Sequence, residues 1–318
     1  MHMSRAIPLV DLQKFISGSD ADKKLLVEEL GHAFQEFGFV GVINHGIPKE
    51  LVSRFYAESK AFFSLPTEVK QKYEVKGLAG QRGYTSFGKE HAKQSNVGDL
   101  KEFYQLGQQV PSDHPQKDEY PDNVHVTEIP AFTPTGIELY KAFETSGAHL
   151  LRAIALYLHL DEDYFADKIK NGHSILRAIH YPPITQEPKS AIRAEQHEDI
   201  NLITLLVGAS AGGLQILDMK NQWLDIVPGE DEIVVNVGDM LQRLTNNYLK
   251  STTHRVVNPP REEWHRPRLS IPFFLHPVSE MDLSCLPFTV TAERPLAYAP
   301  ITAGEYLNER LREIGLKK

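Results

Sequence analysis

After Gly172 the chain breaks into short apolar and β-branched runs at 174–181, 201–207, 214–217, 223–227, 233–237, 254–257 and 269–275, each separated from the next by turn residues. Gly212-Gly213 and Met219-Lys220-Asn221-Gln222 are the clearest turn signals, and the second joins a hairpin. Many short strands at close spacing, following a helical half, predict a jelly-roll or barrel core with helices packed outside it.

The amino-terminal half has a different texture. Residues 7–12 read as a short strand with a turn behind it, and 21–37 has helical periodicity, with Leu25, Leu26, Leu30, Ala33 and Phe34 toward one side. Gly38 ends that helix, since glycine takes the left-handed conformation just past a helix end. A buried strand follows at 39–43, closed by Asn44-His45-Gly46-Ile47-Pro48. Helix is expected again over 49–63, then a Leu65-Pro66 break and a short helix toward Tyr73. Residues 77–98 read as an irregular loop or lid, and 110–134 as a long surface connection. The longest helical pattern covers 135–160, and the tail from 303 to 316 is expected to be helical. This divides the chain into 1–134, a packing helix and connection at 135–171, a β core at 172–280 and an extension at 281–318, all in one compact unit.

With 318 residues, 41% hydrophobic and 24% charged, the chain has the composition of a soluble globular protein and can bury a sizeable core. A formal charge of −8, from 42 acidic and 34 basic residues, argues against nucleic acid or an anionic membrane as partner. A small-molecule partner remains. Cys285 is the only cysteine, which excludes disulfide frameworks and multi-thiolate zinc sites and fits a reducing cytoplasm. No signal-peptide pattern opens the chain, and no apolar stretch approaches the roughly 20 residues that span a bilayer.

His197-Glu198-Asp199, then His254, then Arg268-Leu269-Ser270 is the constellation that carries chemistry. Two imidazoles and a carboxylate can occupy one face of an iron(II) ion and leave the opposite positions open. An arginine and a serine further on supply the donors that the far end of a dicarboxylate needs. A lone His-x-Asp among 14 histidines is weak evidence, and His159-Leu160-Asp161 is a second match. That second match falls at a helix end, where residues two apart point to different sides. Around His197 an extended chain would place residues i and i+2 on one face, and the run 202–206 would supply a strand to hold them. His254 opens another β-branched run, although taken alone it reads as a structural histidine. Glu198 should point away into solvent, and Arg268 and Ser270 should share a strand face.

Longer segments then bring a family into view. Asn236-Val237-Gly238-Asp239-Met240-Leu241, Leu244-Thr245-Asn246-Asn247 and the stretch from Ser251 to Pro259 resemble the core of the isopenicillin N synthase-like iron(II)/2-oxoglutarate-dependent dioxygenases. Ile7-Pro8-Leu9-Val10-Asp11-Leu12, Phe37-Gly38-Phe39-Val40, Asn44-His45-Gly46-Ile47-Pro48, Gly83-Tyr84 and Asp99-Leu100-Lys101-Glu102-Phe103-Tyr104 are similar to its amino-terminal segments. The resemblance covers about residues 7–280. It implies an α+β fold with a double-stranded β-helix (jelly-roll) core, flanked by helices from the amino-terminal half and the carboxy terminus. It implies His197, Asp199 and His254 as iron ligands, Arg268 and Ser270 on the 5-carboxylate of 2-oxoglutarate, and Tyr181 beside the same co-substrate. His45 is expected to serve its turn rather than a metal. Two departures stand out: Ile179 replaces an Asn common in plant members, and Glu198 replaces a common Thr.

The reaction so implied uses Fe(2+), O2 and 2-oxoglutarate, with ascorbate as a reductant, and couples formation of succinate and CO2 to oxidation of a small molecule by hydroxylation or desaturation. A 2-oxoglutarate-independent or ethylene-forming oxidase of the same family is the nearest alternative. A non-catalytic barrel binding a small acid and a zinc hydrolase are more distant ones. For the substrate, Arg82, Tyr84, Phe87 and Phe103 lie in segments that face either the pocket, the core or the surface.

Overall fold

A computed structural model describes residues 7–78, 80–90, 98–188 and 190–313. Two sheets form its centre. The larger has the strand order β1 (Leu9–Asp11), β2 (Phe39–Ile43), β10 (Ile233–Val237), β7 (Ile203–Val207), β12 (Arg268–Leu275), β5 (Ile175–Tyr181), β4 (Glu102–Gly107) and β3 (Gly83–Thr85). The smaller runs β6 (Ala194–His197), β11 (His254–Val256), β8 (Leu214–Leu217) and β9 (Trp223–Asp225). β1 and β2 pair in parallel; the other ladders between these strands are antiparallel. This is the expected α+β arrangement with a jelly-roll core.

Among the described residues, eight helices surround the sheets: α1 (Gln13–Ser17), α2 (Asp20–Glu36), α3 (Lys49–Phe63), α4 (Thr67–Gln71), α5 (Phe132–Tyr157), α6 (Ala166–Ile169), α7 (Asp239–Leu244) and α8 (Ala303–Glu313). α2 begins on a capping box: Ser19 Oγ accepts from the Asp22 amide at 3.2 Å, and the Asp22 carboxylate accepts from the Ser19 amide at 3.1 Å. It ends as expected before Gly38, at φ +67°. Its buried side is Leu26, Val27, Leu30, Ala33 and Phe34; Leu25, expected among them, is exposed because it lies at the edge of the apolar stripe.

α5 covers the outer face of the large sheet. Phe143 stacks on Phe273 at 5.3 Å, Tyr140 meets the same ring edge-on at 5.0 Å, and burying a ring this way stabilises by roughly 1.5–3 kcal/mol. Gly147 permits the close approach, since a Cβ there would lie 2.3 Å from Leu275.

Alternation along the strands then fixes what the inner face carries. Ile271 and Phe273 face α5, so Arg268, Ser270 and Phe274 face inward; on β5 the inward set is Arg177, Ile179 and Tyr181.

Several elements differ from the sequence expectation. β3 lies within the stretch read as an irregular loop; it is a short edge strand that exists through pairing with β4. Residues 91–97 of that stretch, like 314–316 of the expected tail helix, lie outside the described residues. β6 and α7 were not separated from their surroundings by periodicity, being only four and six residues long. Among the described residues, no helix is long and apolar enough to cross a membrane.

Candidate active site

His197 and His254 are register partners in the β6–β11 ladder. Their ring centroids are 4.4 Å apart. Asp199 completes the group, its Oδ1 lying 3.9 Å from His197 Nε2 and 3.8 Å from His254 Nε2. Among the described residues this is the one cluster of three or more His, Cys, Asp or Glu whose donor atoms could hold a metal ion, all within 4.8 Å of one another. Contrary to expectation, His197 and Asp199 do not share a strand. β6 ends at His197, and Asp199 stands in the turn beyond it. What aims Asp199 is the β10–α7 corner: the amides of Gly238, Asp239 and Met240 donate to the carbonyls of Leu202, Asp199 and Asn201 at 2.8–3.0 Å. Gly238 is needed there, because a Cβ would lie 2.0 Å from Asn201 Oδ1.

The donor chemistry fits a divalent ion. His197 Nδ1 lies 2.7 Å from the Glu195 carbonyl and His254 Nδ1 lies 3.1 Å from that of Thr252, so each Nδ1 carries the hydrogen and each Nε2 keeps a free lone pair. Asp199 Oδ2 accepts from Thr204 Oγ1 at 2.6 Å and from Asn236 Nδ2 at 2.8 Å, leaving Oδ1 for the ion. Burial, then repulsion from His254, pushes the His197 pKa down to about 4, which keeps the ring neutral. Burial acts to raise the Asp199 pKa, yet attraction to His254 and His197 and the two side-chain donors hold it below the ordinary carboxylate value.

Arg268 and Ser270 share the inner face of β12 as expected, 2% and 3% exposed. Arg268 is the register partner of Tyr181, and its guanidinium carbon lies 4.9 Å from the Tyr181 ring centroid. Its Nε donates to the Ala211 carbonyl at 3.1 Å, while Nη1 is buried with no partner. Ile179 is the register partner of Ser270, so an apolar side chain stands opposite that hydroxyl-bearing residue. Phe103, Ile179, Tyr181, Ala194 and Val256 form an apolar cluster of their own.

A charged group beside His197 escaped the sequence reading. Arg177 donates to Gln105 at 2.7 Å and to Glu90 at 3.2 Å, with its guanidinium carbon 4.1 Å from the Phe103 ring centroid and 5.2 Å from that of Phe274. Lys101 pairs with Asp99 at 2.7 Å and Glu90 at 3.3 Å. Two cations and two anions cancel, which is what allows Asp99 and Lys101 to be buried and Arg177 and Glu90 to be partly so. Inward alternation from Tyr181 was the available signal for Arg177.

Of the other residues singled out, Phe103 lines the inner face, but Arg82 is buried among backbone carbonyls of Gln81, Gln108 and Pro121. Tyr84 lies in the main core and bonds Glu102, and Phe87 is exposed. His45 Nδ1 accepts from the Ile47 amide within its turn. Glu198 is exposed and accepts from Thr253, and His159 sits at a helix end with φ +55°.

Known proteins are similar to this chain along nearly its whole length. Residues 7–128 match the family model for the non-haem dioxygenase in morphine synthesis N-terminal region, and residues 172–277 match that of the 2OG-Fe(II) oxygenase superfamily. The 2-oxoglutarate-Fe(II) type oxidoreductase hxnY of Emericella nidulans is 32% identical over 93% of this chain and 87% of its own length. The proline hydroxylase buaE of Petromyces alliaceus is 31% identical over 95% of this chain and 97% of its own. A 2OG-Fe(II) oxygenase family protein from Caulobacter crescentus superposes with a TM-score of 0.88 at 43% identity, covering 98% of this chain and all of the other. A full-length Neurospora crassa protein in complex with alpha-KG and thymine superposes with a TM-score of 0.85 at 32% identity, covering 98% of each.

The fold and site thus define a non-haem iron oxygenase. The chain belongs to the 2OG-Fe(II) oxygenase superfamily. It is an enzyme that uses Fe(2+), 2-oxoglutarate and O2 to oxidise a small molecule, and the 2-oxoglutarate-independent, ethylene-forming and non-catalytic alternatives are not favoured.

Proposed function

We propose that His197, Asp199 and His254 hold the catalytic iron, and that Arg268, with Ser270 and Tyr181 beside it, receives the 5-carboxylate of 2-oxoglutarate. The observation carrying this reading is that Nε2 of both histidines and Oδ1 of Asp199 converge while Nδ1 and Oδ2 are tied to protein groups. When bound, the iron supplies the oxidising chemistry with O2 and the keto acid.

The chain's own residues do the rest. Thr204 and Asn236 hold the Asp199 carboxylate in one rotamer, and the carbonyls of Glu195 and Thr252 fix the tautomers of the two imidazoles. Phe103, Ile179, Ala194 and Val256 form an apolar wall that excludes water. No side chain is assigned as general acid or base.

Hydroxylation of a small polar substrate is the outcome we favour, supported by the name of the proline hydroxylase relative and by thymine in the Neurospora crassa complex. The single cysteine and acidic balance support work in the cytoplasm, with no nucleic-acid or membrane partner. Ascorbate is the reductant we expect to sustain turnover. Packing of α5 on α2, α3 and β4 as well as on β12, β5 and β7, with the bond from the Leu286 amide to the Leu244 carbonyl, supports treating the four sequence regions as one catalytic unit.

The test is succinate release by the protein with iron(II), 2-oxoglutarate and air across a panel of small metabolites. One of them should stimulate release, and omitting the metal or the keto acid should abolish it. Substrate oxidation undiminished without 2-oxoglutarate would overturn the reading.

A further inference from the structure

Arg193 and Arg268 flank one ring. Their guanidinium carbons lie 5.9 and 4.9 Å from the Tyr181 centroid, and both side chains are 2% exposed. Arg268 comes from β12 and Arg193 from the residue before β6, so the two sheets each contribute one. Each guanidinium is only partly used. Arg193 Nη2 donates to the Arg266 carbonyl at 3.0 Å and Arg268 Nε to that of Ala211 at 3.1 Å, whereas Arg193 Nε and Arg268 Nη1 are buried without partners.

Among the described residues neither has an ion-pair partner. Glu263 acts on Arg193 only from beyond pairing distance and pairs with Arg266 instead, at 3.4 Å. Burial, then repulsion from Arg268, lowers the Arg193 pKa to about 10. Two like charges, buried around one ring and near enough to repel each other, with donors left over, are an unfavourable arrangement unless an anion joins them. A carboxylate has two oxygens and about four acceptor positions, enough for two arginines.

We propose that Arg193 is a second guanidinium for the 5-carboxylate of 2-oxoglutarate, so that an arginine pair around Tyr181 grips the co-substrate from both sheets. This rests on the assignment of Arg268 to the same carboxylate. Arg193 would bind rather than react, raising affinity for a dicarboxylic keto acid over a monocarboxylic one.

Titration calorimetry of the full-length protein loaded with nickel(II), using 2-oxoglutarate and 2-oxovalerate, tests this without turnover. The second keto acid has the same chelating end and a methyl group in place of the far carboxylate. Wild type should prefer 2-oxoglutarate, and Arg193→Gln should raise its Kd about tenfold or more, as expected for losing a charge-assisted bond. The Kd for 2-oxovalerate should stay within about twofold, since no charge at its far end meets Arg193. Without ligand, Arg193→Gln should melt close to the wild-type temperature, because relief of the repulsion with Arg268 offsets the lost bond to the Arg266 carbonyl; an arginine with a purely structural role would lower it. Unchanged 2-oxoglutarate affinity in a folded Arg193→Gln protein, or equal losses for both keto acids, would overturn the proposal. Should that variant fail to fold, Arg193→Lys keeps the charge but loses the fork, and the same selective loss is required of it. If instead wild type does not distinguish the two acids, or Arg268→Gln leaves the preference intact, the underlying clamp is wrong and not merely its second arm.

Discussion

His197 and His254 face each other across the β6–β11 ladder, and each turns its Nδ1 to the backbone carbonyl two residues earlier in its own chain, Glu195 and Thr252 respectively. Both imidazoles are therefore set as Nε2 donors before any ion arrives. The site is preorganised by backbone as much as by side chains.

Asp199 depends on side chains in the opposite sheet. Replacing Thr204 by Val, or Asn236 by Ala, frees the carboxylate to rotate, and iron(II) affinity should fall about 10–100-fold. Metal titration against a competing chelator measures this, with circular dichroism confirming the fold. Unchanged affinity in both variants would mean that the β10–α7 corner alone positions Asp199.

Arg268→Gln should raise KM for 2-oxoglutarate by about 10–100-fold, because a buried charge-assisted pair becomes a neutral one. Arg268→Lys should fall between, keeping the charge without the fork. Steady-state succinate formation at varied 2-oxoglutarate reads both. A Gln variant with wild-type KM would remove Arg268 from the co-substrate site.

Acid should weaken the fold through His276. Burial, then repulsion from His173, lowers its folded pKa to about 3, and its Nδ1 is buried without a partner. Above the ordinary histidine value of 6.5 the ring is neutral in both states and pH has no effect through it. Below that value the unfolded chain takes up a proton that the folded chain refuses, so stability declines as pH falls from 6.5 toward 3, by on the order of 1 kcal/mol per pH unit. Urea unfolding at pH 7 and pH 5 should show the loss in wild type and a smaller loss in His276→Gln. Equal losses in the two proteins would assign the acid sensitivity elsewhere.

The residues that the sequence exposed are those whose signal is local. His197-x-Asp199, His254 and Arg268-x-Ser270 are readable because spacing and order carry them, and α2, α3 and α5 because apolar periodicity runs over many turns. Asn236, Arg177 and Arg193 were not assigned roles, since each acquires its partner only when distant strands are laid side by side, and Thr204 because its bond to Asp199 depends on how the chain folds back between β6 and β7. Asp199 shows the limit from the other side: its place beside the two histidines follows from the motif, but not from a shared strand. The chain leaves β6 at His197, and the carboxylate is steered by amides from residues 238–240.

Iron stoichiometry decides whether His197, Asp199 and His254 form a metal centre. Anaerobic titration of the wild-type chain with iron(II) should saturate at one ion per chain, and His254→Ala, still folded, should lose stoichiometric binding together with 2-oxoglutarate-dependent succinate formation. A folded His254→Ala protein that keeps one iron per chain and undiminished succinate formation would contradict it.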